Sequence, residues 1–121
     1  MSPIPPDYTL YFIVDIPNSL SSEDAPAIVE NVIQHGATII QLRGKEISTR
    51  KLFDASLRIR DVCHSYHIPF IINDRTDVAL ASDADGVHVG KSDLPLRHTR
   101  ELLPNGIIGY SVDDASDIQH A

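Results

Sequence analysis

A short run of β-branched or aromatic residues, then a turn, then apolar residues at helical spacing: the sequence makes this move five times in 121 residues. No other feature narrows the possible folds as much. Parallel strands cannot be joined by a tight turn. They need a crossover of about a dozen residues or more, which a helix supplies, so this alternation predicts a parallel α/β sheet. After a proline-bearing arm, residues 9–14 read as a buried strand. Ser21, with Asp24 three residues on, loosely fits a capping box. The helix it opens has Ala27, Ile28, Val32 and Ile33 as its apolar stripe and stops at His35-Gly36. Residues 38–43 form the second strand. Ser48 caps a long helix along which Leu52, Phe53, Leu57, Ile59, Val62 and Cys63 recur. Residues 69–72 are the third strand, with a short helix near 77–82, and residues 86–89 are the fourth. Pro95 suits the first turn of another helix, where its missing N–H costs little. Pro104-Asn105-Gly106 is a turn, 107–109 a fifth strand, and 113–121 helical.

Two architectures satisfy this order: an open doubly wound sheet and part of a (β/α)8 barrel. Periodicity does not separate them. The length is that of one domain, residues 1–121. A net charge of −7 with no basic run argues against nucleic acid and anionic membrane as partners. No stretch approaches the ~20 apolar residues of a transmembrane helix, and the N-terminus lacks the features of a secretory signal. Cys63 is the only cysteine, so an internal disulfide and a four-cysteine zinc site are both excluded. The expected location is cytoplasmic.

In either architecture a ligand sits at the carboxyl ends of the strands. Side chains alternate along a strand, so Gln41 and Arg43 share one face near such an end, with Lys45 just beyond. An amide and two cations there suit a phosphate or diphosphate; the plainer reading is solvated loop charge. Asn73 and Asp74 follow the third strand. Asp74 can hold magnesium, which usually takes only one or two protein carboxylates, or it can cap the next helix with Asp77 at the third position. Asp93 has the same two readings, metal ligand or N-cap. His88 reads more readily as a hydrogen-bonded core histidine than as a base, and Gly90 as a backbone requirement. Ser111 with Asp114 loosely fits a second capping box, and a helix N-terminus bearing a serine is a ready phosphate site. Cys63 reads as a small core residue.

The segments Gln41-Leu42-Arg43-Gly44-Lys45, Ile72-Asn73-Asp74-Arg75, residues 84–95 and Ile108-Gly109-Tyr110-Ser111 occur in the order and spacing of thiamine-phosphate synthases. From Leu10 onward the chain resembles that family. The resemblance implies a (β/α)8 barrel of the TIM type, of which about five βα units are visible. It implies an enzyme that joins hydroxymethylpyrimidine diphosphate to a thiazole phosphate, giving thiamine phosphate and diphosphate. By position, Gln41, Arg43, Lys45 and Asn73 would bind the pyrimidine diphosphate, Ser111 would contact its diphosphate, and Asp74 and Asp93 would hold Mg2+. The implied reaction is dissociative, with the diphosphate leaving before the thiazole nitrogen attacks, and needs no protein nucleophile.

Two residues depart from the family pattern. Gly44 stands where glutamate is usual, which loosens the loop bearing Lys45. Lys91 stands where glutamine is usual and adds a cation beside Asp93. A full barrel typically needs ~250 residues, so self-association or a missing carboxy-terminal half is expected. Two other readings stay in play: a thiazole tautomerase-like enzyme without magnesium–diphosphate chemistry, and a non-catalytic half barrel that binds phosphate.

Overall fold

The computed structural model describes residues 5–17 and 21–121. Five strands and five helices alternate along it. They are β1 (Tyr11–Asp15), α1 (Ala25–Gln34), β2 (Ile39–Arg43), α2 (Thr49–Ser65), β3 (Phe70–Asn73), α3 (Thr76–Ala81), β4 (Gly86–Val89), α4 (Leu96–Leu102), β5 (Ile107–Tyr110) and α5 (Ala115–His120). Of the expected proline-bearing arm, residues 1–4 lie outside the described residues, and 5–8 have no regular structure.

All neighbouring strands are parallel, and their spatial order is their chain order, β1-β2-β3-β4-β5. This decides between the two architectures. A doubly wound sheet reverses its strand order at a switch point. Here each strand adds to the same side, and crossovers of one hand then leave every helix on one face. The order is that of five consecutive units of a (β/α)8 barrel.

The two faces of the sheet differ as that winding requires. Val14, Ile40, Leu42, Phe70, Ile72, Val87 and Val89 turn toward the helices and join one core with Ala25, Val29, Leu52, Ala55, Ile59 and Cys63. The alternate residues face away from the helices. Register sets Ile13 beside Gln41, Gln41 beside Ile71, Ile71 beside Gly86 and Gly86 beside Ile107. Nearer the carboxyl ends it sets Asp15 beside Arg43, Asn73 beside His88 and His88 beside Gly109. No described helix packs on this face; Gln41 and Ile71 on it are nonetheless buried, while Ile13 is half exposed.

Capping chemistry accounts for the differences from the expected elements. Ser48 caps α2 as anticipated, its hydroxyl accepting from the Lys51 N–H at 3.1 Å. Ser21 does accept from the Asp24 N–H, at 3.2 Å, but residues 22–24 only turn, and α1 begins after Asp24. The buried stripe of α1 is therefore Ala25, Val29 and Ile33, with Ala27 exposed. Pro95 is the N-cap of α4 rather than a residue of its first turn. The second expected capping box falls one turn late. Asp114, not Ser111, caps α5, and Asp117 completes the box.

Candidate functional site

The carboxyl ends of β2, β3 and β4 bring six of the predicted residues together. Gln41 is buried, and its Nε2 donates to the Tyr11 Oη on the neighbouring strand at 2.7 Å. Two residues further on, Arg43 Nη1 donates to Asp15 Oδ2 at 2.7 Å. Nη1 is the only guanidinium nitrogen engaged among the described residues, so the fork keeps donors for an anion. Tyr11, Ile13, Gln41, Arg43, Asn73, His88 and Ser111 line one concavity on the open face. Lys45, Asn73, Asp74 and Asp93 line a cleft adjoining it.

Asp74 is held in a conformation that sequence does not reveal. Its φ is +65°, in the left-handed region. The Arg75 N–H closes a three-residue turn on the Asn73 carbonyl at 2.7 Å, and the Asp74 N–H donates to the His88 carbonyl at 2.7 Å. Turns of this kind are strained and persist where surrounding structure holds them. The carboxylate is consequently not the cap of α3, whose N-cap is Arg75 without a side-chain bond. Nor does Asp93 cap α4. Its Oδ2 accepts from the Gly90 N–H at 2.7 Å. Both helix-capping alternatives are thereby removed.

The two carboxylates face each other. Burial, then the hydrogen-bonding contact and charge of Asp93, push the Asp74 carboxyl above its ordinary value, against the pull of Lys45. Lys45 Nζ lies 3.6 Å from Asp74 Oδ2. No group of three or more His, Cys, Asp or Glu side chains converges among the described residues. A pair of mutually repelling carboxylates fits a hard cation that keeps most of its shell for water and phosphate oxygens. It does not fit a closed four-ligand site.

The remaining predicted residues fall as follows. Ser111 is exposed and lies on the loop after β5, not at a helix N-terminus, so that route to a phosphate site is lost. Its Oγ instead lies 2.8 Å from His88 Nε2. Lys91 does not turn to Asp93. Its Nζ lies 3.7 Å from Asp113 and 3.8 Å from Asp117. Gly90 answers no steric need, since an added Cβ would have its nearest neighbour at 3.6 Å. Gly44 packs on Ile47, where an added Cβ would stand 2.9 Å from the side chain. Cys63 is fully buried, as expected.

The fold is found in known proteins. A family model described as thiamine monophosphate synthase matches residues 10–121. The chain belongs to the thiamine monophosphate synthase family. It is 45% identical over 113 residues to the thiamine-phosphate synthase of Caldanaerobacter subterraneus subsp. tengcongensis, covering 90% of this chain and 52% of that protein. It is 40% identical over 114 residues to the thiamine biosynthetic bifunctional enzyme of Saccharomyces cerevisiae, covering 93% of this chain and 21% of that one. The solved structure of a thiamine phosphate pyrophosphorylase from Pyrococcus furiosus superposes with a TM-score of 0.78 at 38% identity, over 93% of this chain and 54% of that chain. The chain thus spans about half the length of the bacterial thiamine-phosphate synthases it matches.

Sequence reasoning passed over two residues of this thiamine monophosphate synthase-family surface, Tyr11 and Asp15, and read a third, His88, as a core histidine, whereas it is half-buried and lines the concavity. Strand alternation held the signal. Once β1 is set beside β2, Asp15 falls opposite Arg43. The partner strand, and with it the ion pair, is a tertiary fact.

Proposed function

We propose that this chain supplies the pyrimidine diphosphate-binding part of a magnesium-dependent thiamine-phosphate synthase. The reaction couples hydroxymethylpyrimidine diphosphate to thiazole phosphate, giving thiamine phosphate and diphosphate. The observation that carries the reading is the convergence of Arg43 and Lys45 with the Asp74–Asp93 pair on adjoining strand ends. Family membership supports it.

Each residue then has a task. The Gln41 amide, oriented by Tyr11, meets the polar edge of the pyrimidine. Arg43 and Lys45 neutralise the diphosphate, the first through a planar fork and the second as a point charge. Asn73 donates to the substrate beside them. Asp74 and Asp93 hold magnesium, which supplies positive charge against the charge growing on the leaving diphosphate. The bond from the pyrimidine methylene carbon to oxygen breaks with its electron pair on the diphosphate. The thiazole nitrogen lone pair then forms the new carbon–nitrogen bond. No protein nucleophile takes part, and Cys63 is buried away from the cleft. The location proposed is the cytoplasm; no helix among the described residues is long and apolar enough to cross a membrane.

The test is to incubate the chain with both substrates and magnesium and assay thiamine phosphate, with Asp74→Ala alongside. Product that vanishes in the variant supports the reading. A folded chain that binds diphosphate in a magnesium-dependent way without turnover points to the second reading, a non-catalytic phosphate-binding half barrel, which the open face around Ile13 favours. Binding that ignores magnesium points to tautomerase-like chemistry instead.

A further inference from the structure

We infer that His88 is a positioning residue, holding the Ser111 hydroxyl toward the open concavity so that its proton is free for a phosphate oxygen of the ligand. The inference rests on the reading above, in that the ligand is a diphosphate.

Three observations carry it. His88 Nε2 and Ser111 Oγ are 2.8 Å apart, across residues 23 apart in sequence. Both residues line the same concavity as Arg43 and Asn73. The imidazole has space because the residue beside it in register is Gly109, where an added Cβ would run into the ring at Nδ1. Ser111 is otherwise a loop residue, with its N–H bound to the Val89 carbonyl at 3.0 Å and no helix to fix its side chain. A hydroxyl has one proton and can accept as well as donate. If the ring nitrogen accepted from Ser111, that proton would be consumed and the hydroxyl would offer an anion nothing. With the proton on Nε2, the ring donates to Oγ, and the serine O–H is left to donate outward. The glycine gap, the imidazole and the serine thus form one unit, and the unit faces the cations that would hold the diphosphate.

The experiment is a double-mutant cycle on His88 and Ser111, read by calorimetric binding of inorganic diphosphate with magnesium to the whole chain. His88→Leu and Ser111→Ala are each expected to weaken binding by about three- to tenfold, the range of one net hydrogen bond. The double variant is expected to lose no more than either single one, because His88 acts only through Ser111. His88→Gln, which returns an amide donor near the Nε2 position, is expected to restore most of the loss. Gly109→Ala, which displaces the ring without altering either side chain, is expected to reproduce it. Additive losses in the double variant, or full-strength binding in His88→Leu, overturn the inference. Nitrogen-15 spectra of the ligand-free chain provide an independent arm. The proton is expected on His88 Nε2, and its resonance should move in Ser111→Ala. A parent chain that binds no diphosphate overturns the functional reading instead. The spectra then decide the His88–Ser111 unit by themselves, and an Nε2 resonance indifferent to Ser111→Ala ends it.

Discussion

Asp74 sits in a left-handed conformation facing a second carboxylate, so its backbone and its charge both work against the folded state. Its carboxyl is raised from an ordinary value of 3.8, first by burial and then by Asp93. The folded chain therefore holds that proton more tightly than the unfolded chain does. The resulting stabilisation is complete below the ordinary value and is lost as pH rises through the raised one. At neutral pH the ionised Asp74 is a liability. Asp74→Asn is expected to melt higher than the parent near pH 7 and to lose that advantage as the pH falls toward 4, which thermal melts across the range would read. Magnesium should raise the parent's melting temperature and leave the variant's unchanged, because only the parent keeps both carboxylates. A variant that melts lower at neutral pH would remove the conflict inferred here. The residue types at this site were legible in the sequence: Gln41, Arg43, Lys45, Asn73, Asp74 and Asp93 all lie at strand ends, where α/β folds gather ligands. The release of Asp74 and Asp93 from helix capping was not legible, because it depends on a φ angle and on a bond to Gly90.

At the scale of elements, the close backbone approach of β4 to β5 at Ile107 depends on the missing side chain of Gly86. A Cβ on Gly86 would strike the Ile107 carbonyl and backbone, whereas a Cβ on Gly90, four residues on, would meet its neighbours at ordinary van der Waals distance. Gly86→Ala is expected to cost about 1–3 kcal/mol or more through overpacking. Gly90→Ala should stay within about 0.5 kcal/mol of the parent. Denaturant titration of the two variants makes the comparison, and equal stabilities would contradict the close approach of the strands. Cys63, on the buried side of α2, has its thiol pushed up to about 12 by burial and by the charge of Asp85. Thiol reagents are expected to leave it unmodified in the folded chain and to label it once in denaturant; prompt labelling of the native chain would show that α2 does not stay seated. The existence and order of the elements were legible, since apolar runs and helical periods are local. Their ends were less so. Ser21 and Ser111 both carry the look of an N-cap, yet α1 and α5 start later, where Asp24 and Asp114 stand. A cap is decided by which residue leaves helical geometry, and packing sets that.

At the scale of the whole molecule, β1 pairs only with β2 and β5 only with β4 among the described residues, so both edges of the sheet present unpaired backbone. The face opposite the helices leaves Ile13 half exposed, and Val112 and Ile118 stand exposed past the β5 edge. The chain is expected to self-associate with rising concentration, seen as a shift to larger species in sedimentation velocity. A strict monomer at high concentration would show that these edges are protected. The alternation of apolar runs, the positions of the strand-end polar residues and the burial of Cys63 were determined by sequence alone, because each follows from periods of two or about 3.6 residues along a single chain. The choice of a barrel-type winding over a doubly wound sheet, the Asp15–Arg43 pair, the freeing of both carboxylates and the meeting of His88 with Ser111 were decided only by tertiary structure. Each of these depends on which strand lies beside which, and a periodic pattern contains no information about its neighbours.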